Sequence, residues 1–167
     1  MKKIFLLTLA GFFTFSAFSQ SKGGGTSLSS GLEIGLPMGD MSNSQSVGLG
    51  ASVKALFGET SGFTASVGYM TFSGKEVSGF GKLPAFNAIP VKVGYRMATE
   101  GGFYFEPQIG MAFTSQGGSS ASAFTYAPNV GIITGGLDLS ARYEAMSNNG
   151  STISFVGLRL AYMFGGK

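Results

Sequence analysis

Ser154-Phe-Val-Gly-Leu-Arg-Leu-Ala-Tyr-Met-Phe164 is the stretch that decides the fold. Extended, it sets Val156, Leu158, Leu160, Tyr162 and Phe164 on one side and Gly157, Arg159 and Ala161 on the other, because successive strand side chains point to opposite faces. A strand held between lipid and a polar interior needs this period of two and about 9–11 residues to cross. The stretch meets both conditions and reads as a membrane-crossing strand.

Working back along the chain, seven more alternating segments are bounded by Gly, Ser, Asn or Pro clusters. Their apolar faces are Leu28, Leu32, Ile34 and Leu36, then Val47, Leu49, Ala51, Val53 and Phe57, then Phe63, Ala65, Val67 and Tyr69. They continue with Val91, Val93 and Tyr95, then Phe103, Phe105, Ile109 and Met111, then Phe124, Tyr126, Val130 and Ile132, and then Leu137, Leu139, Ala141 and Tyr143. An even number of such segments predicts an all-β chain: an eight-stranded antiparallel up-and-down transmembrane β-barrel with both termini on one side.

The charges provide a check independent of that phase. Once the apolar residues fix the outward face, Glu33, Lys54, Lys92, Arg96, Glu106, Asp138, Arg142, Glu144 and Arg159 all fall inward. Asp40, Glu59, Lys75, Glu76, Lys82 and Glu100 fall in turns and loops, and Lys22 and Lys167 near the termini. A Lys or Arg facing the mid-bilayer costs roughly 2–4 kcal/mol, so their exclusion from the outward face is what lipid exposure demands. The inward acids and bases are expected to pair, with Arg96, Arg142 and Arg159 interleaved among Glu33, Glu106 and Glu144, because an unpaired charge in a narrow lumen carries a large desolvation cost.

Gly31, Gly35, Gly50, Gly68, Gly94, Gly110, Gly131 and Gly157 share the inward face. Glycine weakens a strand interior, so two reasons are open: room for the long charged side chains in a narrow barrel, or relief where the barrel bends. Links near 58–62, 98–101 and 134–136 are short, whereas those near 37–46, 73–88 and 113–122 read as longer loops on the opposite side, with Asn149-Gly150 as a tight hairpin. Asn149-Gly150-Ser151 also matches a glycosylation sequon. Phe80, Phe86 and Phe113 in these loops are expected in an aromatic girdle, and Pro107 and Pro128, inside strands, are expected to force bulges.

At the N-terminus, Lys2-Lys3, an uncharged run from Ile4 to Phe18 and the exit Ala17-Phe18-Ser19 predict a signal peptide over residues 1–19, the alternative being a short membrane anchor. Residues 20–26 read as a flexible leader and 27–167 as the barrel domain. Lys2 and Lys3 are two of the eleven Lys+Arg, so the rest nearly balances the eight Asp+Glu, and the charge expected of a nucleic-acid binder is absent. The chain has no cysteine, which excludes a lipid-anchored N-terminus and disulfide staples.

The mature chain resembles the small outer-membrane β-barrel family of the OmpA-domain and OmpX type. The resemblance rests on Leu32-Glu-Ile-Gly-Leu-Pro-Met-Gly-Asp40, Ala65-Ser-Val-Gly-Tyr69, Ile89-Pro-Val-Lys-Val-Gly-Tyr-Arg96, Leu139-Ser-Ala-Arg-Tyr-Glu144 and Phe155 to Phe164, in that order. Gly157, Leu160, Tyr162 and Phe164 also resemble the C-terminal signal read by the outer-membrane assembly machinery, with the departure that Gly165-Gly166-Lys167 follow the aromatic. The resemblance implies an outer-membrane address, with lipid and that machinery as partners. An extracellular ligand is left unidentified and a monomer is expected.

Catalysis is not expected. With no histidine and no cysteine, triads and most transition-metal sites are ruled out, and no cofactor is called for. Asp138 and Glu144 are about 20 Å apart along a strand at 3.3 Å per residue, beyond the roughly 5–9.5 Å of a paired-carboxylate hydrolase. The reading is therefore a structural or surface-interaction barrel with a charge-plugged lumen. A narrow pore for water, ions or small solutes is the alternative, and a secreted β-sandwich is a further possibility for the fold.

Overall fold

A computed structural model describes residues 25–77, 79 and 81–165. The expected signal peptide, Phe80 and residues 166–167 lie outside the described residues. Eight long strands form one closed sheet: β1 (Thr26–Met38), β2 (Gln45–Phe57), β3 (Gly62–Gly74), β4 (Phe86–Ala98), β5 (Phe103–Gln116), β6 (Ser119–Thr134), β7 (Leu137–Asn148) and β8 (Ser151–Phe164). Each pairs antiparallel with its chain neighbours, and β1 pairs with β8 from Leu28↔Phe164 to Met38↔Ser154. That last seam leaves no free edge, and every strand is paired on both sides within the sheet. Thr26, which the sequence assigns to the leader, already pairs with Phe57.

The pleat sorts the side chains as the alternation predicts. Leu32, Phe63, Phe103 and Leu160 are among the most exposed apolar residues, while the inward positions of the same strands are buried. Exterior aromatics gather at the end carrying the short turns, where Phe63 stacks edge-on against Tyr95 and Tyr162 against Phe164. Tyr69, Phe113 and Phe124 stand in the opposite halves of their strands.

The links differ from the sequence reading at one place. Residues 58–61, 99–102 and 135–136 make short turns at one end. At the other end, 39–44 contains the helical turn α1 (Met41–Ser44), and 75–85 contains a two-stranded ribbon in which Glu76 pairs with Lys82. The expected loop over 113–122 does not exist. β5 and β6 run on in continuous register to a Gly117-Gly118 turn, whose φ values of 57° and 87° suit a type I′ hairpin that two glycines adopt without strain.

Pro107 and Pro128 produce no bulge. They face each other across β5 and β6, and their missing donors fall on the far sides. The β4–β5 ladder breaks between Gly94↔Gln108 and Met97↔Phe105, the β6–β7 ladder between Tyr126↔Ala145 and Asn129↔Arg142, and both resume in the same register. A proline removes only the bonds on one side of its strand, and the intact pairs above and below hold the alignment. Pro90 does the same to β3–β4, between Val67↔Val91 and Met70↔Ala88. The shift that does occur lies at the start of β2, between Gln45 and Gly48.

Candidate functional site

All nine inward charges are buried, none more than 6 % exposed. They join into a single chain of alternating sign. It starts near the short turns, where Lys54 Nζ lies 2.7 Å from Glu106 Oε1, and Arg96 Nε donates to Glu106 Oε2 at 2.6 Å. Arg96 also reaches Asp138 Oδ2 at 3.4 Å, and Arg159 approaches the same oxygen at 3.1 Å. Arg159 Nε stands 3.6 Å from Glu33 Oε1, Arg142 Nη1 2.7 Å from Glu33 Oε2, and Arg142 Nε donates to Glu144 Oε2 at 2.6 Å. Lys92 Nζ closes the series on Glu144 Oε2 at 2.6 Å.

The order follows from side-chain chemistry. Arginine presents several donors in a rigid fork and bridges two carboxylates, whereas each lysine here meets one acid and so terminates the chain. Strand register supplies the neighbours: Glu33 sits directly opposite Arg159 across the β1–β8 seam, and Arg142 opposite Gly157. Uncharged inward residues occupy much of the remaining hydrogen-bonding capacity. Tyr104 Oη donates to Asp138 at 2.6 Å, Ser52 Oγ to Glu33 at 2.5 Å, Gln108 Nε2 to Glu106 at 2.8 Å and Thr125 Oγ1 to Glu144 at 3.2 Å. Arg96 also lies over the Tyr104 ring, 3.9 Å from its centroid.

The sequence reading placed Arg96, Arg142 and Arg159 among Glu33, Glu106 and Glu144, and the structure brings these six together. It adds Asp138, which links Arg96 to Arg159, and the two lysines at the ends. Tyr104, Ser52, Gln108, Asn129 and Thr125 were missed; the first three share the inward phase of a charged residue on their own strand, whereas Asn129 and Thr125 lie on β6, which carries no charge to mark that phase.

A second layer was not foreseen. In the strand halves near α1, the lumen is filled by Met70, Phe72, Phe86, Met146 and Phe155, with Met41 of α1 over them. Phe72 packs against Phe155 at 5.0 Å and Phe86 at 6.2 Å between ring centroids. Phe86 is therefore interior rather than part of a girdle, while Phe113 is exposed on the outside. Inward glycines make room for rings in both layers. A Cβ at Gly48 would stand 2.5 Å from the Phe72 ring, at Gly35 2.8 Å from both Met70 and Phe72, and at Gly131 2.5 Å from the Tyr104 ring. The Arg142 guanidinium, 5.4 Å from the Phe155 centroid, joins the two layers.

Lys75 holds α1 in place. Its Nζ donates to the Ser42 carbonyl at 2.6 Å and its N–H to the Ser44 carbonyl at 2.9 Å. Between the charged side chains below lies a cavity of about 10 Å³. Gly157 stands on the inward face, while Leu160, Tyr162 and Phe164 are exposed on the outer one.

No protein-family model matches the chain, and no curated protein does. Solved structures do. Ail of Yersinia pestis, in a phospholipid bilayer nanodisc, superposes with a TM-score of 0.62 at 17% identity over 85% of this chain and 100% of that one. The N-terminal β-barrel domain of Pseudomonas aeruginosa OprF gives 0.63 at 12% identity over 86% and 100%. Neisserial surface protein A gives 0.56 at 13% over 86% and 99%. The fold is that of the small eight-stranded outer-membrane barrels. At these identities the likeness concerns the backbone, and the interior described above belongs to this chain's own sequence.

Proposed function

We propose that this chain is an integral outer-membrane barrel with a structural or surface-interaction role, no catalytic activity, and a lumen closed to ions. The observation that carries this reading is the continuous alternating chain from Lys54 to Lys92 beneath a packed apolar layer. Moving an ion through the lumen would require breaking pairs buried away from water and opening the Phe72–Phe155 contact as well. An apolar constriction resists wetting even where charges below it would attract ions. The belt of exposed Leu, Val, Ile and Phe, free of charge, supports lipid as the surrounding medium. For the surface-interaction role, an exterior groove of about 630 Å³ beside the β5–β6 hairpin, lined by Tyr69, Asn87, Phe113 and Ser120, offers a concavity at the end opposite the short turns.

Planar-bilayer recording tests the sealed lumen. Wild-type monomer is expected to give no steady conductance, and steady, sizeable conductance would establish the narrow-pore reading instead. For the address, the protein is expected in the outer-membrane fraction, resistant to salt extraction; recovery in the soluble periplasm would overturn it. Leu160, Tyr162 and Phe164, with Gly157, would be read by the assembly machinery before the strand closes against β1.

A further inference from the structure

The interior chain begins and ends on a base, so it holds five cations against four anions. The excess has a location. The cavity of about 10 Å³ is lined by both terminal lysines and by Arg142 and Arg159, with Glu33 the acid among its lining residues. Glu33 already pairs with Arg142, accepts from Ser52 and has the Arg159 guanidinium 3.6 Å away, so it is committed elsewhere. Each lysine ammonium carries three donors and meets one carboxylate, which leaves donors free toward the cavity. Ser66, Gln108 and Asn129 add hydroxyl and amide groups to the same wall.

A buried net charge is costly unless a counter-charge accompanies it. The space takes about one water-sized particle, since such a cavity needs roughly 10–15 Å³ to hold one. We propose that the cavity between Lys54 and Lys92 is a binding site for one monovalent anion of chloride size. The anion completes the alternation by joining the two positive ends of the chain, making the interior neutral. The site explains why the network ends on lysines, whose compact charges can turn to a shared ion, and not on arginines locked into bidentate forks. The inference rests on the sealed lumen proposed above, which keeps the ion from exchanging along a pore.

Crystals of protein folded into detergent in bromide, and grown from bromide, test the site directly. An anomalous peak between Lys54 and Lys92 is expected; an ordered water there with no anomalous signal overturns the proposal. In solution, the urea midpoint of the lipid-reconstituted barrel should be higher in sodium chloride than in sodium gluconate of equal ionic strength. Lys54→Met and Lys92→Met each leave four acids with four bases, and the chloride effect should disappear in both. Equal midpoints in the wild type, or a chloride effect undiminished in both variants, would overturn the site. Conductance in planar bilayers would instead count against the sealed lumen, so the two readings fail on different measurements.

Discussion

At the scale of single residues, position in the ionic chain matters more than residue type. Arg142 touches Glu33 and Glu144, so Arg142→Ala leaves two buried carboxylates short of a partner. Breaking a buried pair in this way costs on the order of 3–5 kcal/mol. Lys54 is terminal, and Glu106 keeps Arg96 when it is removed. Lys54→Met should therefore cost markedly less than Arg142→Ala in urea unfolding of the vesicle-reconstituted protein, and equal losses would show that the pairs act independently. Gly48 makes a second residue-scale case. Its Cβ would press on the Phe72 ring, so Gly48→Ala should destabilise by roughly 1–3 kcal/mol through overpacking, although alanine favours strands more than glycine does.

At the scale of elements, the prolines are the informative feature. Pro107 breaks the β4–β5 ladder without moving its register, so a residue with an N–H fits the same backbone. Pro107→Val should add a ladder bond and gain about 0.5–1.5 kcal/mol, visible as a higher unfolding midpoint; a loss would mean that the strand is held bent there by something other than the missing donor. The last strand carries a separate expectation. Phe164 stacks on Tyr162 and is half exposed, so Phe164→Ser removes little from the finished barrel, yet it should slow pulse-labelled insertion if the assembly machinery reads this residue. Insertion at the wild-type rate would leave Phe164 an interfacial aromatic and nothing more.

At the scale of the whole molecule, closure of β1 on β8 makes the barrel one cooperative unit. Folded protein should migrate differently from boiled protein in detergent gels, and identical mobility would argue against a closed barrel. The two layers of the lumen predict an asymmetric response. Phe72→Ala should cost about 3–5 kcal/mol by leaving a cavity, but it should not by itself produce conductance, because the chain from Lys54 to Lys92 still fills the lumen beneath.

What the sequence by itself determined is the part governed by a period of two. Alternation in Ser154–Phe164 and its counterparts separates lipid-compatible from inward residues, and the nine charges fall on one face because lipid tolerates none of them on the other. The same pleat also contained Phe72, Phe86 and Phe155, but apolar residues at inward positions carry no contradiction that would mark them, whereas a charge in lipid does. Only the tertiary structure decided which acid meets which base, since partners such as Arg159 and Asp138, on β8 and β7, meet through register and side-chain reach that spacing along one strand does not encode. It likewise decided that Pro107 and Pro128 lie opposite each other and that Gly117-Gly118 joins β5 and β6 without a loop. Strand pairing is a relation between distant segments, set by closing the sheet and packing a narrow lumen, and that is where the physical choice is made.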